Sequence, residues 1–126
     1  MSGAVGRKIL VVDDQQDLRL LIRLSLRTLG EVAQAASAET ALALLQQQAP
    51  DLLVLDVWLG EGMGGLELCR QIKADPRTRG VRVMLLSACG QQSDIAAGLA
   101  AGADDYMVKP FSPEALYEAA AGLLDK

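Results

Sequence analysis

The chain has 126 residues, 51% of them apolar, 22% charged and 3% aromatic, with 12 basic against 16 acidic residues and a formal charge of −4. That length fits one domain of common size, and the apolar share suits a packed fold rather than a disordered tail. An acidic balance without a basic patch speaks against direct nucleic-acid binding, and the absence of histidine removes Ser-His and Cys-His nucleophile pairs, His-ligated zinc and histidine acid–base chemistry.

Lys8 to Val12 is a β-rich apolar run and predicts a strand. Leu18, Leu21, Ile22, Ser25 and Leu29 make a helical stripe, closed by Gly30. Glu31 to Ala35 predict a second strand. Ser37 then suits the N-cap of a helix carrying Ala41, Leu44 and Leu45, which must stop before Pro50. Leu52 to Leu55 predict a third strand, followed by a helix on Leu66, Cys69, Arg70 and Lys73 that ends near Asp75-Pro76. Val81 to Leu86 predict a fourth, with a helix from about Ser93 to Ala101 stopping at Gly102. Tyr106 to Val108 predict the fifth strand, and Ser112-Pro113-Glu114 opens the last helix with an N-cap and a proline at the first helical position.

Strand and helix therefore alternate five times. That order predicts an α/β fold of βαβ units with a parallel sheet and right-handed crossovers. LLVLD and VMLLS are continuously apolar, as strands buried on both faces require. An open doubly wound sheet fits the length, whereas a closed barrel would need about twice as many residues. Cys69 and Cys89 have neither metal nor redox spacing, which makes a cytoplasmic setting the expectation. No apolar run reaches the ~18 residues of a membrane helix, and MSGAVGRK leads into no signal-peptide core.

Ligands of open parallel sheets bind beyond the carboxyl ends of the strands. The residues falling there are Asp13-Asp14, Asp56, Ser87 and Lys109-Pro110, while the second strand ends at uncharged Ala36. Taken singly, a strand-end aspartate is more often a helix cap or turn former, and a lone lysine is usually a solvated charge. Together they place acidic oxygens, a hydroxyl and an ammonium on one rim. Neighbouring carboxylates repel unless a cation joins them, and hard oxygen ligands suit Mg²⁺. A lysine on the same rim suits an anion that comes and goes, such as a phosphoryl group.

KILVVDDQ, LLVLDVWL, VMLLSA and GADDYMVKPF, in that order, resemble the receiver domain of two-component response regulators, as in the single-domain chemotaxis regulator. The resemblance covers Lys8 to Leu124, and one domain over residues 1–126 is the expectation. It implies a flavodoxin-like (βα)5 fold with strand order 2-1-3-4-5. It implies that Asp56 accepts a phosphoryl group from a sensor histidine kinase or phosphotransfer protein. Asp14 would bind Mg²⁺ (or Mn²⁺) directly, Asp13 directly or through water, with Asp56 and the Trp58 backbone carbonyl completing the protein ligands. Ser87 would bond the phosphoryl oxygen, Lys109 would pair with it, and Lys109-Pro110 would be cis. Tyr106 matches the aromatic that turns inward as Ser87 moves. The output surface would be the fourth helix, fifth strand and fifth helix, with Ile95, Leu99, Tyr106 and Tyr117 as candidates. It would dock a downstream effector or a tethered output domain.

Trp58 and Cys89 stand two residues beyond Asp56 and Ser87. Such side chains flank the path of attacking water in this family, so bulky Trp58 is expected to slow hydrolysis of the acyl phosphate. The GEGMGG loop departs from the family. It has Gly60 where a proline is common four residues after the acceptor, and its Gly65 comes one residue late. Preorganisation of the Trp58 carbonyl and the start of the third helix then rest on glycine-rich backbone, which costs more entropy to order.

Three other functions compete. A haloacid-dehalogenase-type phosphohydrolase wants a second aspartate two residues after the nucleophile, where Trp58 stands. Activity beyond self-phosphorylation and self-dephosphorylation is therefore not expected. A nucleotide-binding protein wants glycine in the first turn, which here reads DDQQD. Loss of the acidic pair, the acceptor or the lysine would favour a phosphorylation-independent interaction module; all are present, so only the altered GEGMGG loop speaks for it.

Overall fold

A computed structural model describes residues 7–60 and 62–125. The MSGAVG start, read above as no signal peptide, and Glu61 of the glycine-rich loop lie outside the described residues. The elements are β1 (Lys8–Val12), α1 (Gln16–Leu26), β2 (Glu31–Ala35), α2 (Ala38–Gln47), β3 (Leu52–Asp56), α3 (Gly65–Ala74), β4 (Arg82–Ser87), α4 (Gln92–Ala100), β5 (Asp105–Val108) and α5 (Pro113–Leu124). The sheet has five parallel strands in the order β2-β1-β3-β4-β5, the flavodoxin-like arrangement.

The pleat divides the apolar strands between two cores. Leu10, Val12, Leu53, Leu55, Val83 and Leu85 face α2 and α3, meeting Ala41, Leu45, Leu68, Cys69 and Ile72. Ile9, Val11, Leu52, Val54, Met84 and Leu86 face α1 and α5, meeting Ile22, Leu26, Leu116, Ala120 and Leu123. β3 is buried at every residue, as its run of apolar side chains demands, whereas edge strand β2 is buried only at Ala35. Register sets the functional rim. Val12 pairs with Leu55, so Asp13 and Asp56 follow at one height. Ser87 pairs with Val108, so Lys109 comes one residue above.

Two helix faces differ from the sequence reading. α1 buries Ile22 and Leu26, with Leu18 and Leu29 at its margin, while Leu21 of the expected stripe is 42% exposed. One flank of α1 rests on the sheet and α5 and covers only the row spaced by four, leaving the leucines on its other face to solvent. α3 buries Gly65, Leu68, Cys69 and Ile72, while Arg70 is exposed. Lys73 turns its ammonium to the Val81 carbonyl, 2.7 Å away, and to Asp104, 3.0 Å away.

Ser37 and Ser112 cap α2 and α5 as expected, accepting from Thr40 N–H and Ala115 N–H. No helix among the described residues is long and apolar enough to cross a membrane.

Candidate functional site

At the carboxyl rim, Asp13 and Asp56 are almost fully buried and Asp14 is exposed, and one carboxylate oxygen from each lies within 4.8 Å of the others. β1 and β3 hold the two buried groups because they are adjacent in the sheet. Lys109, just past β5, brings Nζ to 3.5 Å from both Asp13 Oδ2 and Asp56 Oδ2. Its peptide bond to Pro110 is cis.

One ammonium cannot balance three clustered carboxylates. Burial, then the charge of Asp13, push the Asp56 carboxyl up to about 6, against the pull of Lys109 and the Trp58 N–H. That N–H donates to Asp56 Oδ1 at 3.3 Å. Gln15 N–H donates to Asp13 Oδ1 at 2.8 Å, and Arg19 Nη1 donates to the Asp13 carbonyl at 2.8 Å. An all-oxygen set with surplus negative charge and one solvent-facing member fits a small hard divalent cation that keeps some of its waters.

Ser87 is fully buried at the end of β4. Its Oγ accepts from Cys89 N–H at 3.0 Å, which leaves its own hydrogen uncommitted in any bond within the described residues. The Cys89 carbonyl in turn accepts from the Tyr106 hydroxyl at 2.7 Å. The half-buried Tyr106 ring lies so close to Gly98 of α4 that a Cβ there would sit 2.7 Å from it. The Cys89 backbone, through its N–H on one side and its carbonyl on the other, thus joins the hydroxyl of Ser87 to the aromatic ring of β5.

Trp58 stands 68% exposed at the rim. Beyond it the chain turns through Gly60 (φ +81°) and Gly62 (φ +88°), conformations that suit glycine. Gly65 is required for a different reason: a Cβ there would lie 2.2 Å from the Asp56 carbonyl oxygen. Its backbone therefore lets α3 begin against the end of β3. Glu39 of α2 reaches this loop, Oε2 accepting from Met63 N–H at 3.2 Å.

The structure brings together Asp13, Asp14, Asp56 and Lys109, and places Ser87 and Trp58 at adjoining strand ends. Sequence reasoning missed two contributors. Arg19 had a signal, a basic residue one turn into the helix that follows the acidic strand end. Glu39 had none, because its partner lies 24 residues away.

A family model described as the response regulator receiver domain matches residues 9–121. The chain belongs to the response regulator receiver family. As a receiver domain of this two-component class, it is 44% identical over 106 residues to the phosphate regulon transcriptional regulatory protein PhoB of Rhizobium meliloti, covering 83% of the chain and 46% of that protein. It is 46% identical over 103 residues to the transcriptional regulatory protein AfsQ1 of Streptomyces coelicolor, covering 81% and 44%. The chain thus spans a little under half the length of these relatives. Among solved structures, the BeF3-activated receiver domain of DrrB, a Thermotoga maritima protein, superposes with a TM-score of 0.87 at 34% identity, covering 95% of this chain and 98% of that one. Vibrio cholerae CheY4 superposes with 0.85 at 28% identity, covering 93% and 98%. A phosphorylation-independent module is not favoured, since the acidic cluster and Lys109 meet in one site.

Proposed function

We propose that this receiver accepts a phosphoryl group on Asp56 and switches a docking surface in response. The observation that carries the reading is the convergence of three carboxylates and Lys109 at one rim, with Ser87 at the adjoining strand end holding a hydroxyl hydrogen not used in any bond among the described residues. In the reaction an Asp56 oxygen attacks phosphorus in line. A new P–O bond forms as the donor's P–N bond breaks, and the electron pair leaves with the nitrogen of the donor histidine. Lys109 pairs with a phosphoryl oxygen, and Ser87 turns its free hydrogen toward another. Mg²⁺, or Mn²⁺, held by Asp13, Asp14, Asp56 and the Trp58 carbonyl, would neutralise charge on the transferring group. Turnover is confined to the protein's own Asp56.

The donor we propose is a sensor histidine kinase or phosphotransfer protein in the cytoplasm, a setting that free Cys69 and Cys89 fit. The receiver domain fills the chain, with its core over residues 8–124. Output passes through α4, β5 and α5 to an effector protein or tethered output domain, and this chain makes no nucleic-acid contact itself. Leu99, Val108 and Tyr117 are exposed there, and Ile95 is half-buried. Trp58 and Cys89 flank the approach of water, and Trp58 shields the acyl phosphate.

Incubation with acetyl phosphate, followed by intact mass, tests the reading. One added phosphoryl group is expected with Mg²⁺, and none with chelator or in Asp56→Asn. Absence of the adduct in folded wild-type protein, with beryllofluoride also failing to bind, would overturn it. In the same assay Trp58→Asn is expected to lose its phosphoryl group faster; an equal or slower loss would remove the shielding role.

A further inference from the structure

We infer that Arg19 is a positioning residue for the acidic site, its guanidinium fixing the peptide that joins Asp13 to Asp14. The inference rests on the Mg²⁺-dependent reading above and concerns how this chain holds its ligands ready.

Every other polar group of Asp13 already has its place. Its N–H donates to the Ala35 carbonyl at 3.1 Å, its Oδ1 accepts from Gln15 N–H, and its Oδ2 faces Lys109. The carbonyl is what remains, and it belongs to the same peptide plane as the Asp14 nitrogen. Arg19 Nη1 donates to that carbonyl at 2.8 Å. Its Nε is committed at 3.3 Å to Gln34 Oε1 of β2, which fixes the plane of the guanidinium. Arg19 thereby spans α1, the end of β1 and β2, and clamps the one peptide that separates the two acidic residues.

Asp14 depends on this clamp more than Asp13 does. Asp13 is buried and bonded on every side. Asp14 is exposed, and its side chain carries no hydrogen bond within the described residues. The direction in which its carboxylate leaves the chain rests on the peptides on either side, one held by Arg19 at the Asp13 carbonyl and the other by Asp13 Oδ1 at the Gln15 N–H. A lysine keeps the charge but not the fork that bonds carbonyl and amide at once.

The test combines a metal-free and a metal-bound measurement on the folded protein. In metal-free protein, the Asp14 amide resonance of Arg19→Met is expected to shift or broaden well beyond that of distant amides. Mg²⁺ affinity, followed through the fluorescence of the sole tryptophan, Trp58, is expected to fall about five- to tenfold, the scale of having to order one residue's backbone on binding. Arg19→Lys should recover less than half of the loss, and Gln34→Ala should lose less in the same direction. If Arg19→Met does not fold, Gln34→Ala carries the test alone. An unchanged Asp14 amide, or full recovery by lysine, would overturn the inference, the latter by showing that charge alone suffices. Wild-type protein that binds no Mg²⁺ would overturn the proposed function instead, and the Asp14 amide would then decide the role of Arg19.

Discussion

Asp56 keeps a negative charge where burial and Asp13 both oppose it, and the result is a carboxyl raised from 3.8 to about 6. A raised acid favours its neutral form in the fold. The stabilising contribution is therefore complete below about pH 4 and is lost as pH rises through 6. At pH 7.5 the metal-free protein carries the cost of the buried charge. Asp56→Asn is thus expected to be more stable there, by about 1–3 kcal/mol, with the difference closing toward pH 4. Denaturant unfolding in chelator at the two pH values checks this, and an equal difference at both would remove buried charge as the cause. Added Mg²⁺ should stabilise wild type more than Asp56→Asn, since the cation binds the folded carboxylate. The position of Asp56 at a strand end was readable from LLVLD, but its energetics were not. They depend on burial first and on Asp13 second, and both come from strand pairing rather than from the local chain.

Single elements were more legible than the contacts between them. Continuous apolar runs marked β3 and β4, and serine caps marked α2 and α5, because these signals are local. The exposed side of α1 was not readable, because its leucines are chemically alike and only packing against α5 and the sheet selects Ile22 and Leu26. The loop between β3 and α3 belongs to the same class. Its glycines were visible, and ordering such backbone costs more than ordering other residues. What offsets that cost is the Glu39 carboxylate, bonded to Met63 N–H from another helix. Glu39→Ala is expected to speed exchange of the Met63 amide several-fold. Because the bond is exposed, global stability should change by less than about 1 kcal/mol. Hydrogen exchange followed by NMR checks both. An unaltered Met63 amide would show that the loop holds itself, and Glu39→Gln, which keeps an acceptor, should retain most of the protection.

For the whole molecule, signalling requires that an event at Asp56 be felt at α4 and β5. Strand alternation predicted a parallel sheet, but the order 2-1-3-4-5 came from family resemblance, and that order puts Ser87 and Lys109 beside Asp56. The route outward is short: Ser87 Oγ, the Cys89 N–H and carbonyl, the Tyr106 hydroxyl, and the Tyr106 ring against Gly98. A phosphoryl group that draws on the Ser87 hydrogen biases this chain of contacts, and coupling between two sites acts equally in both directions. Tyr106→Phe keeps the ring and removes only the bond to the Cys89 carbonyl. Because that bond already exists without the ligand, only its strengthening on binding counts. Beryllofluoride with Mg²⁺, titrated through Trp58 fluorescence, should bind Tyr106→Phe more weakly, by less than the about tenfold of a whole lost hydrogen bond. Mg²⁺ alone should bind as in wild type, because the acidic cluster does not touch this route. Equal beryllofluoride affinity in the two proteins would mean that Tyr106 is only packed against α4 and that the signal leaves the site another way.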